Sequence, residues 1–189
     1  MLKKNPNQRV GVFVDVQNMY YSAKNLYGHK VNFSRILETA TAGRQMIRSL
    51  AYVVRASVPE EQTFFDALER GGFEVKTKDV QIFPGGVKKG DWDVGIAIDM
   101  IRLAPRLDVL VLVSGDGDYV PLVEYLQNQG YRVEVVAFGK STSGKLITAA
   151  DEFVDMDETY QEYLLSAKST GAKAQYRRPK EKLPTLPEL

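Results

Sequence analysis

Apolar and polar positions divide this chain into short buried runs that alternate with stretches of helical spacing. The clearest run is Val109-Leu110-Val111-Leu112-Val113, followed at once by Ser114-Gly115-Asp116-Gly117-Asp118. A continuous β-branched run is the mark of a strand buried on both faces of a parallel sheet. Val120, Leu122, Val123 and Leu126 then recur as a helix packed on that sheet would require. Upstream, Val10 to Val16 predicts a short strand with Asp15 at its end, and Gln17-Asn18-Met19-Tyr20-Tyr21 opens a helix. A further helix begins at Asn32-Phe33-Ser34, with Asn32 or Ser34 as its cap. Met46 to Ala56 predicts a strand, and Pro59 suits the first turn of the helix that ends at Gly71-Gly72. Phe73 to Lys78 alternates as a strand, and residues 81–89 around Pro84-Gly85-Gly86 predict a hairpin or flap. Val94, Ala97, Ile98 and Ile101 share one helical face. Beyond Gly130, Tyr131 to Phe138 alternates as a strand and Gly139 to Gly144 is a polar loop. A short helix over 146–150, a strand over 151–155 and a terminal helix over 157–165 complete the pattern.

Strands alternating with helices predict an α/β fold with a mostly parallel central sheet and helices on both faces, a three-layer α/β/α sandwich. Right-handed crossovers gather the carboxyl ends of the strands at one edge, where open α/β sheets bind ligands. The domain is expected over residues 8–165. From Ser166 to residue 189 the chain becomes a basic tail, with Lys173, Arg177, Arg178, Lys180 and Lys182, expected to be disordered or to lie on a partner.

Composition narrows the chemistry. With no cysteine, thiolate nucleophiles, disulfides and the usual structural zinc sites are excluded. The single histidine, His29, sits in a loop-like Tyr27-Gly28-His29-Lys30, which removes the ordinary ingredient of a Ser-His-Asp triad. A net charge of +1 is neutral on nucleic-acid binding, since a local patch can hide in a balanced total. The polar start MLKKNPNQ is unlike a signal peptide and no run is long enough for a membrane span, so a cytoplasmic protein with no membrane partner is expected.

Carboxylates remain. Asp15, Asp116, Asp118 and the acidic helix start at Asp91/Asp93 are all predicted to reach the carboxyl edge of the sheet. Simpler roles exist for some: Asp15 or Asp118 can cap the helix that follows, and so can one of Asp91 and Asp93. Asp93 and Asp99 lie about 120° apart around an ideal helix, so they do not form one stripe. Several converging carboxylates repel one another, which a hard divalent cation such as Mg²⁺ or Mn²⁺ relieves. Metal-dependent phosphodiester hydrolysis is the chemistry these residues support best, since it needs no histidine. A phosphatase acting through an aspartyl phosphate is disfavoured because no second Asp stands two residues after Asp15. The loop at Gly139–Gly144 has phosphate-binding composition but not the Walker A spacing.

Three segments in order carry a resemblance: VFVDVQNMYY with Asp15 and Asn18, KKGDWDVGIAIDM with Asp93 and Asp99, and LVSGDGDYVPLV with Ser114, Asp116 and Asp118. Together with Gly130 and SGKLITAADEF (143–153), they resemble the NYN domain of bacterial LabA-like proteins over about residues 8–157. That family is similar to PIN-domain nucleases, which implies a PIN-like, Rossmann-like fold and a metal-dependent ribonuclease acting on RNA. By position, the resemblance makes Asp15, Asp93 and Asp116 the main metal ligands or their water-bridged partners, with Asp99 and Asp118 completing the shell and Asp118 joining the catalytic set. Asn18 would orient a carboxylate or the scissile phosphate, Ser114 would brace the turn, and Lys88, Lys89 and Lys140 would meet substrate phosphates. The segment Lys89-Gly90-Asp91-Trp92-Asp93 is one residue longer than the family's usual spacing, which leaves the roles of Asp91 and Asp93 open. An RNA- or protein-binding regulatory module with weak or no catalysis is the alternative. Homodimerisation through a sheet edge or the terminal helix is compatible with this pattern.

Overall fold

A computed structural model describes residues 4–55, 61–82 and 88–165, with no side-chain description at 81, 82, 88 and 89. The expectations for Pro59, for the Pro84-Gly85-Gly86 turn and for the basic tail lie outside the described residues. The elements run β1 (Arg9–Asp15), α1 (Val16–Tyr27), α2 (Phe33–Thr41), β2 (Gln45–Arg55), α3 (Glu61–Arg70), β3 (Glu74–Asp79), β4 (Gln81–Ile82), β5 (Lys88–Lys89), α4 (Asp93–Leu103), β6 (Val109–Val113), α5 (Val120–Asn128), β7 (Arg132–Ala137), α6 (Gly144–Ala149) and β8 (Glu152–Asp155). Short 3₁₀ turns occupy Ala104–Arg106, Gly117–Tyr119, Gly139–Ser141 and Met156–Tyr163.

Six strands form one parallel sheet in the order β3-β2-β1-β6-β7-β8. The chain builds outward from β1 to β2 and β3, then returns to the centre and builds β6, β7 and β8 the other way. β1 and β6 are therefore neighbours from which the connections diverge, and the crevice at their carboxyl ends is the fold's natural ligand site. Both strands are apolar because both faces are covered. Val10, Val12 and Val14 pack with Met19, Ile36, Leu37 and Phe65 of α1, α2 and α3 on one face. Phe13, Leu110 and Leu112 pack with Ile96, Met100, Leu122, Leu126 and Leu146 of α4, α5 and α6 on the other. The side-chain alternation of β1 thus assigns the first three helices to one layer and the last three to the other.

The small β4–β5 ladder is antiparallel, with Gln81 opposite Lys89 and Ile82 opposite Lys88, as the hairpin reading requires. Asn32, not Ser34, caps α2, its side chain accepting from Arg35 N at 3.2 Å. The expected terminal helix is instead a 3₁₀ segment over Met156–Tyr163, broken at Thr159 (φ −134°, ψ 43°). Tertiary contacts override its helical spacing. Asp155 accepts from Asp157 N at 2.8 Å, Tyr160 stacks on Tyr27 with centroids 4.4 Å apart, and Tyr163 O accepts from Asn32 N at 2.8 Å. Leu164 then bridges to Val31, which requires an extended exit.

A buried ion pair lies within the fold. Arg44, packed beneath α2, donates two hydrogen bonds to Glu134 of β7, at 3.0 and 2.9 Å, and both side chains are nearly inaccessible. Burial opposes ionisation of Glu134, but Arg44 and Lys4 more than offset it and hold its pKa at about 2.

Candidate active site

Asp15 ends β1 and caps α1: its Oδ1 accepts from Asn18 N at 3.0 Å. Asn18, one turn into that helix, reaches across the switch point, where its Oδ1 accepts from Gly115 N at 3.0 Å. Ser114 is fully buried, and its hydroxyl is 3.4 Å from Asp15 Oδ2 while accepting from Asp116 N at 3.2 Å. The turn after β6 is therefore tied to the end of β1 from both sides. Its glycines are required by close approach. A Cβ on Gly115 would lie 2.8 Å from Thr142 Oγ1 and 3.2 Å from the Ser141 carbonyl, and one on Gly117 would lie 2.7 Å from Ser143 Oγ.

Asp118 does not take the simpler capping role available to it: α5 has no side-chain cap. Asp116 caps the 3₁₀ turn Gly117–Tyr119, accepting from Asp118 N at 3.0 Å, and the Asp118 carboxylate stays exposed. Across the crevice, α4 begins at Asp93 with no side-chain cap, so neither Asp91 nor Asp93 has the capping role that offers the simpler account. Asp93 instead accepts from the buried Tyr119 hydroxyl at 3.1 Å. The result brings Asp93, Asp116 and Asp118 together, one carboxylate oxygen of each lying within 4.8 Å of the others.

Asp15, Asp91, Asp93 and Asp116 line one cleft of about 340 Å³, with Gln17, Asn18, Tyr21, Ser22, Asn25, Leu26, Trp92 and Ser141. No lysine or arginine is among the described residues that line it. The electrostatic consequence is visible in the acids. Burial pushes Asp15 up to about 6, and the charges of Asp93 and Asp116 add to it against the hydrogen bonds from Asn18 and Ser114. Asp93 is also raised, mainly by burial and then by its acidic neighbours, against the Tyr119 hydroxyl. Tyr119 is raised by burial and by Asp15 and Asp93, so it stays a neutral donor.

The donor set suits a hard cation. It is all carboxylate oxygen and partly open to solvent.

Two of the sequence-predicted residues, Asp99 and Lys140, stand elsewhere. Asp99, two turns along α4 from the cleft, accepts from Tyr52 OH at 2.9 Å and forms an ion pair with Lys76 at 2.5 Å, facing β2 and β3. The angular separation of Asp93 and Asp99 on the helix is the reason they diverge. Lys140 turns to Tyr27, with its ammonium 5.4 Å from the ring, and its backbone N donates to Asp157 at 2.7 Å. Ser141, not Lys140, reaches the cleft. Lys88 is in the β5 ladder with Lys89, but both side chains lie outside the described residues.

Two residues gain roles that the sequence reading did not assign. Tyr119 positions Asp93, and the tyrosine directly after the Gly-Asp-Gly-Asp turn is the signal for it. Trp92 donates from Nε1 to the Val53 carbonyl at 3.0 Å and lies over Gly95, where a Cβ would meet its ring at 2.5 Å. This anchors the start of α4 to the sheet, and a single tryptophan next to a small residue at helical spacing was its only trace in the sequence.

Comparison with known proteins agrees with this architecture. Residues 9–157 match the family model of the NYN domain. The chain is 27% identical over 159 residues to the low amplitude and bright protein LabA of Synechococcus elongatus, covering 79% of this chain and 84% of that one. It is 22% identical over 161 residues to an uncharacterized protein of Methanocaldococcus jannaschii, covering 84% of this chain and 60% of that protein. A crystal structure of a protein of unknown function from Vibrio parahaemolyticus superposes with a TM-score of 0.77 at 35% identity, over 87% of this chain and 100% of the other.

Proposed function

The chain belongs to the NYN domain family, a PIN-like nuclease family, and from that premise we propose that it is a metal-dependent ribonuclease hydrolysing RNA phosphodiester bonds. The observation that carries this reading is the convergence of Asp93, Asp116 and Asp118, with Asp15 lining one cleft beside Asp93 and Asp116. Asp93, Asp116 and Asp118 would hold Mg²⁺ or Mn²⁺, with Asp15 the buried carboxylate of the set. When bound, such a cation supplies Lewis acidity: it acidifies water and neutralises charge on the phosphate.

The chain's own residues do the rest. Carboxylates alone repel a phosphodiester, so this cleft takes that substrate only as part of a cation complex. Tyr119 holds one oxygen of Asp93 and leaves the other free, and Asn18 fixes the turn that presents Asp116 and Asp118. Hydrolysis forms one P–O bond to the water oxygen and breaks the one to the leaving oxygen, which takes one proton of that water while the other is released. No covalent enzyme intermediate is needed, in keeping with the lack of cysteine and of any histidine among the residues lining the cleft. Residues 8–165 would form the catalytic domain. Among the described residues no helix is long and apolar enough to cross a membrane, which is compatible with a cytoplasmic RNA substrate.

The test is incubation of the full chain with end-labelled single-stranded RNA in Mn²⁺, Mg²⁺ or EDTA, beside Asp116→Asn. Metal-dependent cleavage that disappears in the variant is the expected result. Equal residual cleavage by both proteins would refute the reading. No cleavage, with RNA retained in a gel shift, would replace it with an RNA-binding regulatory module.

A further inference from the structure

Helix α1 presents three kinds of surface. Val16, Met19 and Ala23 are buried against the sheet, and Tyr20 and Lys24 are exposed to solvent. Between them lies a third surface. Gln17, Tyr21 and Asn25 recur every four residues, so they share one stripe, with Asn18 and Ser22 beside it. This stripe is one wall of the cleft whose other wall carries Asp91, Asp93 and Asp116.

The wall has no charge and no apolar core to bury. Tyr21 is 50% exposed. Its ring sits edge-on to Tyr20, with centroids 5.5 Å apart and planes at 75°, and the Lys24 ammonium lies 5.7 Å from the Tyr20 ring. Tyr20 is thus held between Lys24 and Tyr21, which steadies Tyr21 from its solvent side. The side-chain amides of Gln17 and Asn25 make no hydrogen bond with the other described residues. Each offers both a donor and an acceptor to whatever enters. The Oδ1 of Asn18 is committed to Gly115.

A flat ring, free amides and no cation describe an occupant that is planar, neutral and rimmed with donors and acceptors. A phosphate fits poorly here, because phosphate contacts are made by lysine, arginine or a metal. We propose that this wall is a nucleobase subsite. When a strand's phosphodiester lies at the carboxylates, the adjoining unpaired base stacks on Tyr21, with its edge hydrogen-bonded by Gln17 and Asn25. The position of the phosphate rests on the ribonuclease reading above; the chemistry of the base wall does not. The cleft's volume of about 340 Å³ is in the range of small-molecule sites and joins the two subsites without a barrier. A base within a duplex has its edge paired and both faces stacked, so only an unpaired nucleotide enters.

Two measurements on the full chain test this. The first uses 2-aminopurine riboside in EDTA, a neutral probe whose fluorescence is quenched by stacking and which has no phosphate to cleave. Saturable quenching is expected with the wild-type chain and with Tyr21→Phe, and roughly 5- to 150-fold weaker binding with Tyr21→Ala, as for one lost base–aromatic stack. No quenching by the wild type, or equal quenching by Tyr21→Ala, overturns the subsite. The second is the KM for single-stranded RNA in Mn²⁺, expected to rise in Tyr21→Ala and stay near wild type in Tyr21→Phe. An unchanged KM in Tyr21→Ala overturns the subsite while leaving the nuclease reading intact. Absence of RNA cleavage overturns the nuclease reading alone, and the riboside titration then decides the subsite.

Discussion

Replacing Asp15 by Asn should make the metal-free protein more stable at neutral pH, although Asp15 is among the residues expected to matter most for function. Asp15 is 9% exposed and has Asp93 and Asp116 near it, and its pKa is lifted from 3.8 to about 6. A carboxyl whose folded pKa is raised contributes stability that is fully present below 3.8 and is lost as pH rises through about 6. At about 1.4 kcal/mol per tenfold change in proton affinity, the ionised form costs the metal-free protein about 3 kcal/mol above pH 7. An asparagine has the same shape, does not ionise, and can still accept from Asn18 N. That neutral hydrogen bond is weaker than the charged one, so a net gain of about 1–3 kcal/mol at pH 7.5 is expected. The assay is urea denaturation in EDTA at pH 4.0, 5.0, 6.0 and 7.5, followed by the fluorescence of Trp92, the chain's single tryptophan. The two proteins should approach each other towards pH 4 and diverge as pH rises. Saturating Mn²⁺ should reverse the order, since only the wild-type site retains its full charge; at 100 times Kd a ligand contributes about 2.7 kcal/mol. A variant that is less stable than wild type at pH 7.5 in EDTA, or a difference that does not change with pH, would refute the reasoning.

Asn18→Ala removes the hydrogen bond that ties Gly115 to α1 and should lower Mn²⁺ affinity about 10- to 100-fold in titration calorimetry with the far-UV circular dichroism unchanged; unaltered affinity would show that the turn needs no such brace. Arg44→Met leaves Glu134 buried without its bidentate partner and should cost about 3–5 kcal/mol in urea denaturation, while a loss near zero would mean that Lys4 and Arg132 suffice. Glu134, held at about 2 against burial by Arg44 and Lys4, contributes stability that is present above 4.5 and is lost as pH falls through about 2, so Glu134→Gln should flatten the acid limb of the stability curve in that window.

The sequence by itself determined the layers and the edge at which the acids meet. Runs such as Val109–Val113 bury on both faces only inside a parallel sheet, and a strand-end aspartate followed by a helix places its carboxylate at the carboxyl edge. Local spacing carries both facts, so Asp15, Asp116 and Asp118 were legible at that edge before any coordinates, while Asn18 and Ser114 entered through the family resemblance. Only the tertiary structure decided which acids share a point. Asp93 and Asp99 are close in sequence, yet helix rotation sends one to Asp116 and Asp118 and the other to Lys76 and Tyr52. Asp116 caps its own 3₁₀ turn, and the glycines on either side of it are required by the close approach of Thr142 and Ser143, far along the chain. The terminal segment gave up its helix to stacking on Tyr27 and pairing with Val31 for the same reason. Periodicity records which face a residue shows to its own element; which distant group waits on that face is a property of the packed chain alone.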